Sequence, residues 1–154
     1  MNEHGFNRQN RQRQDKRSVN LPNLVLTIVP TEFNRNVLEW SNAMAEAQLP
    51  PTQLRRFYGE VKRIQQLIGP VEQGNQKRKQ EREARWKQNE LAFRMLKAKA
   101  AYALRTDRNK REALVKYLQD AVDEVKTLDL FDNFLLHFEA VVGYVTPLIE
   151  KGAK

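Results

Sequence analysis

The chain predicts an all-α fold: a single five-helix bundle over residues 31–154, preceded by a basic N-terminal arm over 1–30 that is disordered or extended. Three observations predict it. From residue 32 onward, apolar side chains recur at offsets of three and four, which gathers them on one face of a helix. Pro50-Pro51 and Gly69-Pro70 punctuate that period at intervals of helix length. No stretch sustains the apolar–polar alternation of a half-buried strand, and there is no internal repeat. A chain of 154 residues suffices for one modest core, whereas two independent halves would each be too small.

The elements follow in order. Residues 1–20 are rich in Asn, Gln and Arg and nearly free of apolar side chains, so they cannot bury enough surface to offset the entropy of ordering. Such an arm is either a solvated tail or a nucleic-acid contact. Residues 21–30, apolar and containing Pro22 and Pro30, read as a short strand or an extended segment laid on the core. The first helix runs from about 32 to 48, with Phe33, Val37, Leu38, Trp40, Met44, Ala45 and Leu49 as a loose apolar face, and stops at Pro50-Pro51. Thr52 is placed to cap the second, 52–68, whose Leu54, Phe57, Tyr58, Val61, Ile64 and Ile68 share one face. Residues 76–106 form the longest helical stretch. Its first half is charged and expected to project from the core. Its second half carries Leu91, Met95, Ala98 and Tyr102 on one side and Phe93, Leu96, Ala100 and Leu104 on the other, a pattern that predicts a helix sandwiched between neighbours. Asp107 is a candidate cap for a helix over about 108–127, and Asp129 for a last helix over 130–150 that Pro147 should kink or loosen.

Catalysis finds little support. With no cysteine, disulfides, thiolate metal sites and a cysteine nucleophile are excluded. His4 lies in the arm, and His137 reads as a boundary residue of the last helix; two distant histidines cannot build the usual zinc sets. Asp120, Asp123 and Glu124 have the spacing of a cation site but also that of an ordinary solvated face. Ser18 and Ser41 sit in no nucleophile elbow, and no glycine-rich phosphate loop is present. The expectation is a non-enzyme without metal or cofactor. The longest near-apolar run, residues 24–29, is far short of the roughly 20 residues a membrane helix needs, and the N-terminus lacks a secretory apolar stretch. A cytoplasmic protein with no membrane partner is expected.

Charge is the informative feature. Lys and Arg number 27 against 19 Asp and Glu, a net charge of +8. The excess fills the first three quarters, while residues 117–154 hold three cations and seven carboxylates. That split suggests a polyanion surface at one end and a different role at the other. In helix 52–68, Arg55, Arg56, Lys62 and Arg63 fall opposite the apolar stripe, within about a third of the circumference at about 100° per residue, and only Glu60 interrupts them. Such a column can follow a phosphate backbone. Lys97, Lys99 and Arg105 interrupt an otherwise apolar segment, and Arg105, Arg108, Lys110 and Arg111 cluster at the following turn. The mixed run from Lys77 to Lys87 reads only as exposed and basic. Tyr58, Trp86 and Tyr102 are base-stacking candidates, or core. Nothing encodes base readout, so backbone binding without sequence specificity is expected.

Three stretches carry a resemblance. Thr52-Gln53-Leu54-Arg55-Arg56-Phe57-Tyr58 resembles the helix start and aromatic pair of the small subunit of the type III-A CRISPR effector (Csm) complex. Leu96-Lys97-Ala98-Lys99-Ala100-Ala101-Tyr102 resembles that family's central helix, and Phe134 to Tyr144 its last amphipathic helix. They occur in the family's order and span about 50–150. The resemblance implies a non-catalytic helical bundle that stacks in several copies along a guide RNA–target RNA duplex in antiviral defence. Its partners would be both RNAs, the other subunits of the complex and copies of itself. Carried over by position, the RNA-facing residues would be Arg55, Arg56, Lys62 and Arg63, then Lys97, Lys99 and Arg105. Residues 1–30 match nothing in the family, Gly59 sits inside the motif helix, and 76–90 is longer than the family needs. Two other readings stand on the residues alone: a generic nucleic-acid-binding helical protein outside CRISPR systems, and a structural adaptor with an acidic protein partner.

Overall fold

The computed structural model describes residues 21–152, and these are helical throughout apart from short links and one extended entry segment. The helices are α1 (Pro30–Glu46), α2 (Pro51–Ile68), α3 (Gln76–Arg94), α4 (Leu96–Ala103), α5 (Arg108–Glu124) and α6 (Leu128–Gly152). The expected all-α bundle is present, with its long central helix in two segments divided at Met95. Met95 keeps helical dihedrals, and the backbone bonds Met95 N–H to Leu91 O and Lys99 N–H to Met95 O carry the direction across the division. No strand occurs among the described residues.

The helix ends show which local chemistry prevails. Pro30 and Pro51 open α1 and α2 in their first turns, where the missing N–H has no intrahelical partner to lose. Thr52 is therefore inside α2, and its hydroxyl is not the cap that the sequence suggested. At the end of α1, Gln48 takes φ 59° and donates to Ala45 O, while Leu49 N–H reaches back to Met44 O. This is a left-handed helix stop, sealed by the buried pair Met44 and Leu49. Asn75 caps α3 by accepting from Arg78 N–H at 3.2 Å. Asp107 occupies the cap position of α5 in the left-handed region and makes no side-chain cap bond. Thr127, not Asp129, caps α6: its Oγ1 accepts from Leu130 N–H at 3.2 Å, and Asp129 lies within the first turn. The helix runs on through Pro147 to Gly152.

The core is organised on α6, which packs on α1 and α2; α4 packs on α5, α2 on α3, and α1 on α5. Phe131, Phe134 and Phe138 form a buried ladder along α6. Phe131 meets Trp86 and Phe93 of α3 at 5.0 and 5.3 Å between ring centroids, Phe134 meets Tyr117 of α5 at 5.9 Å, and Phe138 meets Tyr58 of α2 at 5.6 Å. Such ring pairs add roughly 0.5–1.5 kcal/mol each beyond their buried area.

His137 is in this core, fully buried, and not at its boundary. Tyr117 donates its hydroxyl to His137 Nδ1 at 2.7 Å, and His137 Nε2 donates to Asn36 Oδ1 at 2.8 Å. The roles are fixed by the extended segment. Val25 N–H also points at Asn36 Oδ1, at 3.1 Å, which makes that atom the acceptor. Asn36 Nδ2 and Trp40 Nε1 both donate to Asn23 O, at 2.7 and 3.3 Å. Residues 21–29 are thus an extended segment tied to α1 by hydrogen bonds, with Leu21, Leu24 and Leu26 partly buried against the core. Residues 1–20, expected to be a disordered arm, lie outside the described residues.

Burial lowers the His137 pKa from 6.5 to about 4, so the ring is neutral in the fold. The unfolded chain takes up this proton below about pH 6.5, whereas the folded chain holds it off until about pH 4. Stability from this group is therefore complete above about 6.5 and falls by about 1.4 kcal/mol per pH unit as pH drops through that window. Urea unfolding between pH 7.5 and 5 should show the fall, and His137→Phe should remove its steepest part between 6.5 and 5. An equal slope in both proteins would contradict the assignment.

Candidate nucleic-acid interface

Helix α2 buries Leu54, Phe57, Val61, Ile64 and Ile68. Its outward arc then holds Thr52, Arg55, Arg56, Gly59, Lys62, Arg63 and Gln66. Arg55 is shared with α6, its Nη2 lying 3.2 Å from Glu150 Oε1, both side chains well exposed. Lys62 is half-buried, its Nζ 5.9 Å from the Tyr58 ring centroid. Arg56 and Arg63 are exposed, and no carboxylate of a described residue lies within 4.0 Å of either. They stand seven residues apart, about 10 Å along one side of the helix. Gly59 lies between them. A Cβ there would meet nothing within 4 Å, so no packing among the described residues calls for a residue that weakens the helix by about 1 kcal/mol relative to alanine.

The α4 cations are arranged differently from their neighbours in sequence. Lys97 Nζ pairs with Asp123 of α5 at 2.7 Å, and Lys99 Nζ pairs with Glu60 of α2 at 2.8 Å. The two lysines leave opposite flanks of α4, so they form no continuous track. Arg105 lies over the ring of the exposed Tyr102, 3.7 Å from its centroid. Arg111 folds back, its Nη1 donating to Ala103 O at 3.2 Å, while its buried Nε has no partner among the described residues. Arg108 and Lys110 are exposed. Lys110 borders a shallow groove of about 280 Å³ that also includes Pro50, Pro51 and Ile149, which sets the α4–α5 turn beside the start of α2. The structure therefore brings Arg55, Arg56 and Lys110 to one end of the bundle, with Arg108 and Arg105 on the adjoining turn. Lys97 stands apart on the far flank.

The basic run of α3 is not uniformly exposed. Arg82 is buried, its guanidinium bidentate on Asp132 of α6 at 2.6 and 2.8 Å, with Nε donating to Gly69 O at 3.1 Å. The hydrogen bonds to Asp132 raise its pKa and outweigh the opposing effect of burial. Arg85 Nη1 donates to Ile68 O at 3.2 Å. Trp86 is core, packed on Phe93 and Phe131, and Tyr58 is half-buried on Phe138. Only Tyr102 of the three aromatic candidates stays open. The Arg82 anchor was missed in the sequence, although the offsets 82, 86, 89 and 93 place it in line with Trp86 and Phe93. Asp120 and Asp123 are drawn into separate pairs with Lys116 and Lys97, and no group of three metal-ligating side chains forms among the described residues. No described helix is long and apolar enough to cross a membrane.

Fold and surface together define a small all-α bundle protein that presents a basic helical arc, with His137 and Ser41 buried in its packing. The family model Csm2 Type III-A matches residues 30–146, from the first turn of α1 to near the end of α6. The chain belongs to that family and is a small structural subunit of the type III-A Csm complex, working with its other subunits. Comparison with curated proteins and with solved structures gave no match.

Arg82→Met should cost about 3 kcal/mol in urea unfolding, because Asp132 is left largely buried without its cation. Adding Asp132→Leu should recover most of the loss. A single variant as stable as the parent would show that the pair does not anchor α3 to α6.

Proposed function

We propose that this chain is a non-catalytic, RNA-holding subunit of a type III-A CRISPR ribonucleoprotein, set in several copies along the guide RNA–target RNA duplex. It acts in the cytoplasm in antiviral defence and carries no cofactor. The observation that supports this most directly is the outward arc of α2. Arg56 and Arg63 flank a bare Gly59 on a rigid helix, Arg55 and Lys62 lie alongside, and no carboxylate stands on the arc itself. Charge fixed on a helix face suits the backbone of an A-form duplex, whose major groove is too deep and narrow for side chains to read. Arg108 and Lys110 extend the surface across the turn beside the start of α2. Gly59 lets a phosphodiester strand come closer to the helix than any side chain would permit.

Lys97 and Lys99 enter this reading as secondary contacts, since each must first leave an exposed carboxylate. Such exposed pairs are worth little, about 0–1 kcal/mol, so the exchange is energetically open. Arg111 serves to close the α4–α5 turn and contributes positive potential more than direct contact.

Arg56→Glu combined with Arg63→Glu should weaken binding of an RNA duplex at least about tenfold at low salt. The same pair should make log Kd less steep in log salt by roughly one to two units, as phosphate contacts are lost. Filter binding across a salt series reads both quantities, and circular dichroism verifies the helices. Undiminished binding by a fully helical double variant would refute the α2 assignment.

A further inference from the structure

Of the three aromatic candidates for stacking, Tyr102 alone faces solvent, 67% exposed, and it is already half of a stack. The guanidinium carbon of Arg105 lies 3.7 Å from its ring centroid, whereas the other cation–ring approaches among the described residues are 5.8 or 5.9 Å. The end of α4 sets this pair. Leu104 N–H donates to Ala101 O at 3.1 Å and Arg105 N–H to Tyr102 O at 3.3 Å. Bonds of that reach tighten the last turn to three residues, and at three per turn the side chains of 102 and 105 lie one above the other. No carboxylate of a described residue lies within 4.0 Å of Arg105. A guanidinium is planar and weakly hydrated, so it can lie on a ring and still offer its outer face to another flat group.

Position relates the pair to the basic arc. At about 100° per residue, Tyr102 lies about 60° round α4 from Lys99 and about 140° from Lys97. Lys99 reaches Glu60 of α2 at 2.8 Å, and Glu60 borders the arc on the side of Arg56 and Arg63. In the other direction the chain passes from Arg105 to Arg108 and Lys110, and Lys110 borders the groove at the start of α2. Tyr102 and Arg105 thus stand at the edge where the α2 arc and the α4–α5 turn approach each other. The other exposed apolar side chains have no such company. Leu91 and Met95 along α3 and α4, and Leu136, Tyr144 and Leu148 on the outer side of α6, form plain apolar ridges that suit protein contact.

We propose that Tyr102 and Arg105 form a stacking platform for an unpaired nucleobase of the RNA that α2 holds. The proposal rests on the RNA-holding reading and adds to it which part of the RNA these two residues meet. Every base has a π-face, so stacking is tolerant of sequence, in keeping with a chain that carries no base-readout motif. In a fully paired A-form duplex each base face is covered by its neighbours. The platform therefore acts where a base is out of the stack, at an end, a bulge or a splayed position. Cations of the arc hold the backbone on either side, and the ring pair adds one more layer to the exposed base.

Filter binding with the full-length protein compares three otherwise identical RNA duplexes: fully paired, carrying one unpaired adenosine, and carrying an abasic nucleotide in its place. The parent should bind the unpaired-adenosine duplex about tenfold more tightly than the abasic one. Tyr102→Leu keeps an apolar side chain, and Arg105→Lys keeps the charge. Each should bring that ratio below about threefold, with affinity for the paired duplex within about twofold of the parent. Tyr102→Phe should keep the full ratio. A parent that binds the paired duplex but does not distinguish adenosine from the abasic site would overturn the platform and leave the RNA-holding reading intact. So would a Tyr102→Leu protein that keeps the parent's ratio, a result that assigns Tyr102 to the adjoining protein-contact ridge. Failure of the parent to bind any of the three duplexes would refute the RNA reading itself, and the platform with it.

Discussion

The aromatic ladder of α6 is the constraint on which the other arrangements depend. Phe131, Phe134 and Phe138 are buried at one edge of a helix that touches α1, α2 and α3, and their rings reach α5 as well. The rings of α2, α3 and α5 turn toward that ladder, while Phe33 and Trp40 of α1 pack on His137 and Tyr117 beside it, and so the face each helix shows to solvent is settled by exclusion. On α2, Phe57 and Tyr58 go inward and the arginines outward. On α3, Trp86 and Phe93 go inward, which carries Arg82 in with them. Bidentate bonding to Asp132 is what makes that burial tolerable, because a lone buried guanidinium would be strongly unfavourable.

Much of this was legible in the sequence. The helix count, the linker positions and most of the inward faces of α1, α2, α5 and α6 follow from offsets of three and four, because amphipathic periodicity reports tertiary burial; Leu38 of α1 and Leu148 of α6 share those apolar stripes yet stay exposed. The α2 cations were legible for the same reason, as the complement of a clear apolar stripe. The resemblance at Thr52–Tyr58, Leu96–Tyr102 and Phe134–Tyr144 agrees with the family match over residues 30–146. Helix caps were less legible. Thr52, Asp107 and Asp129 all have capping chemistry, yet Pro51, a left-handed backbone and Thr127 took precedence over them. Adjacent residues with equal propensity compete for one cap, and the backbone path decides between them.

What the sequence concealed were pairings between distant residues. Tyr117, His137, Asn36 and Val25 are joined by hydrogen bonds that span up to 101 positions, and no local pattern announces them. His137 looked like a boundary residue because its neighbours are apolar; its burial depends on two partners that fix one neutral tautomer. The ion pairs of Lys97 and Lys99 with Asp123 and Glu60 are of the same kind. They set the two lysines that interrupt an otherwise apolar segment on opposite flanks of α4 and leave the apolar ridge between them.

The surface is thus partitioned between charge that is fixed and outward on α2 and apolar ridges on α3, α4 and α6 that suit protein contact. Photo-crosslinking tests that partition most directly: the reconstituted complex is assembled on RNA containing 4-thiouridine, irradiated and digested, and the RNA-linked peptides are identified by mass spectrometry. The account predicts links concentrated in residues 51–68 and at the α4–α5 turn. Links confined to residues 87–102 or to the outer side of α6, with α2 unlabelled, would contradict it.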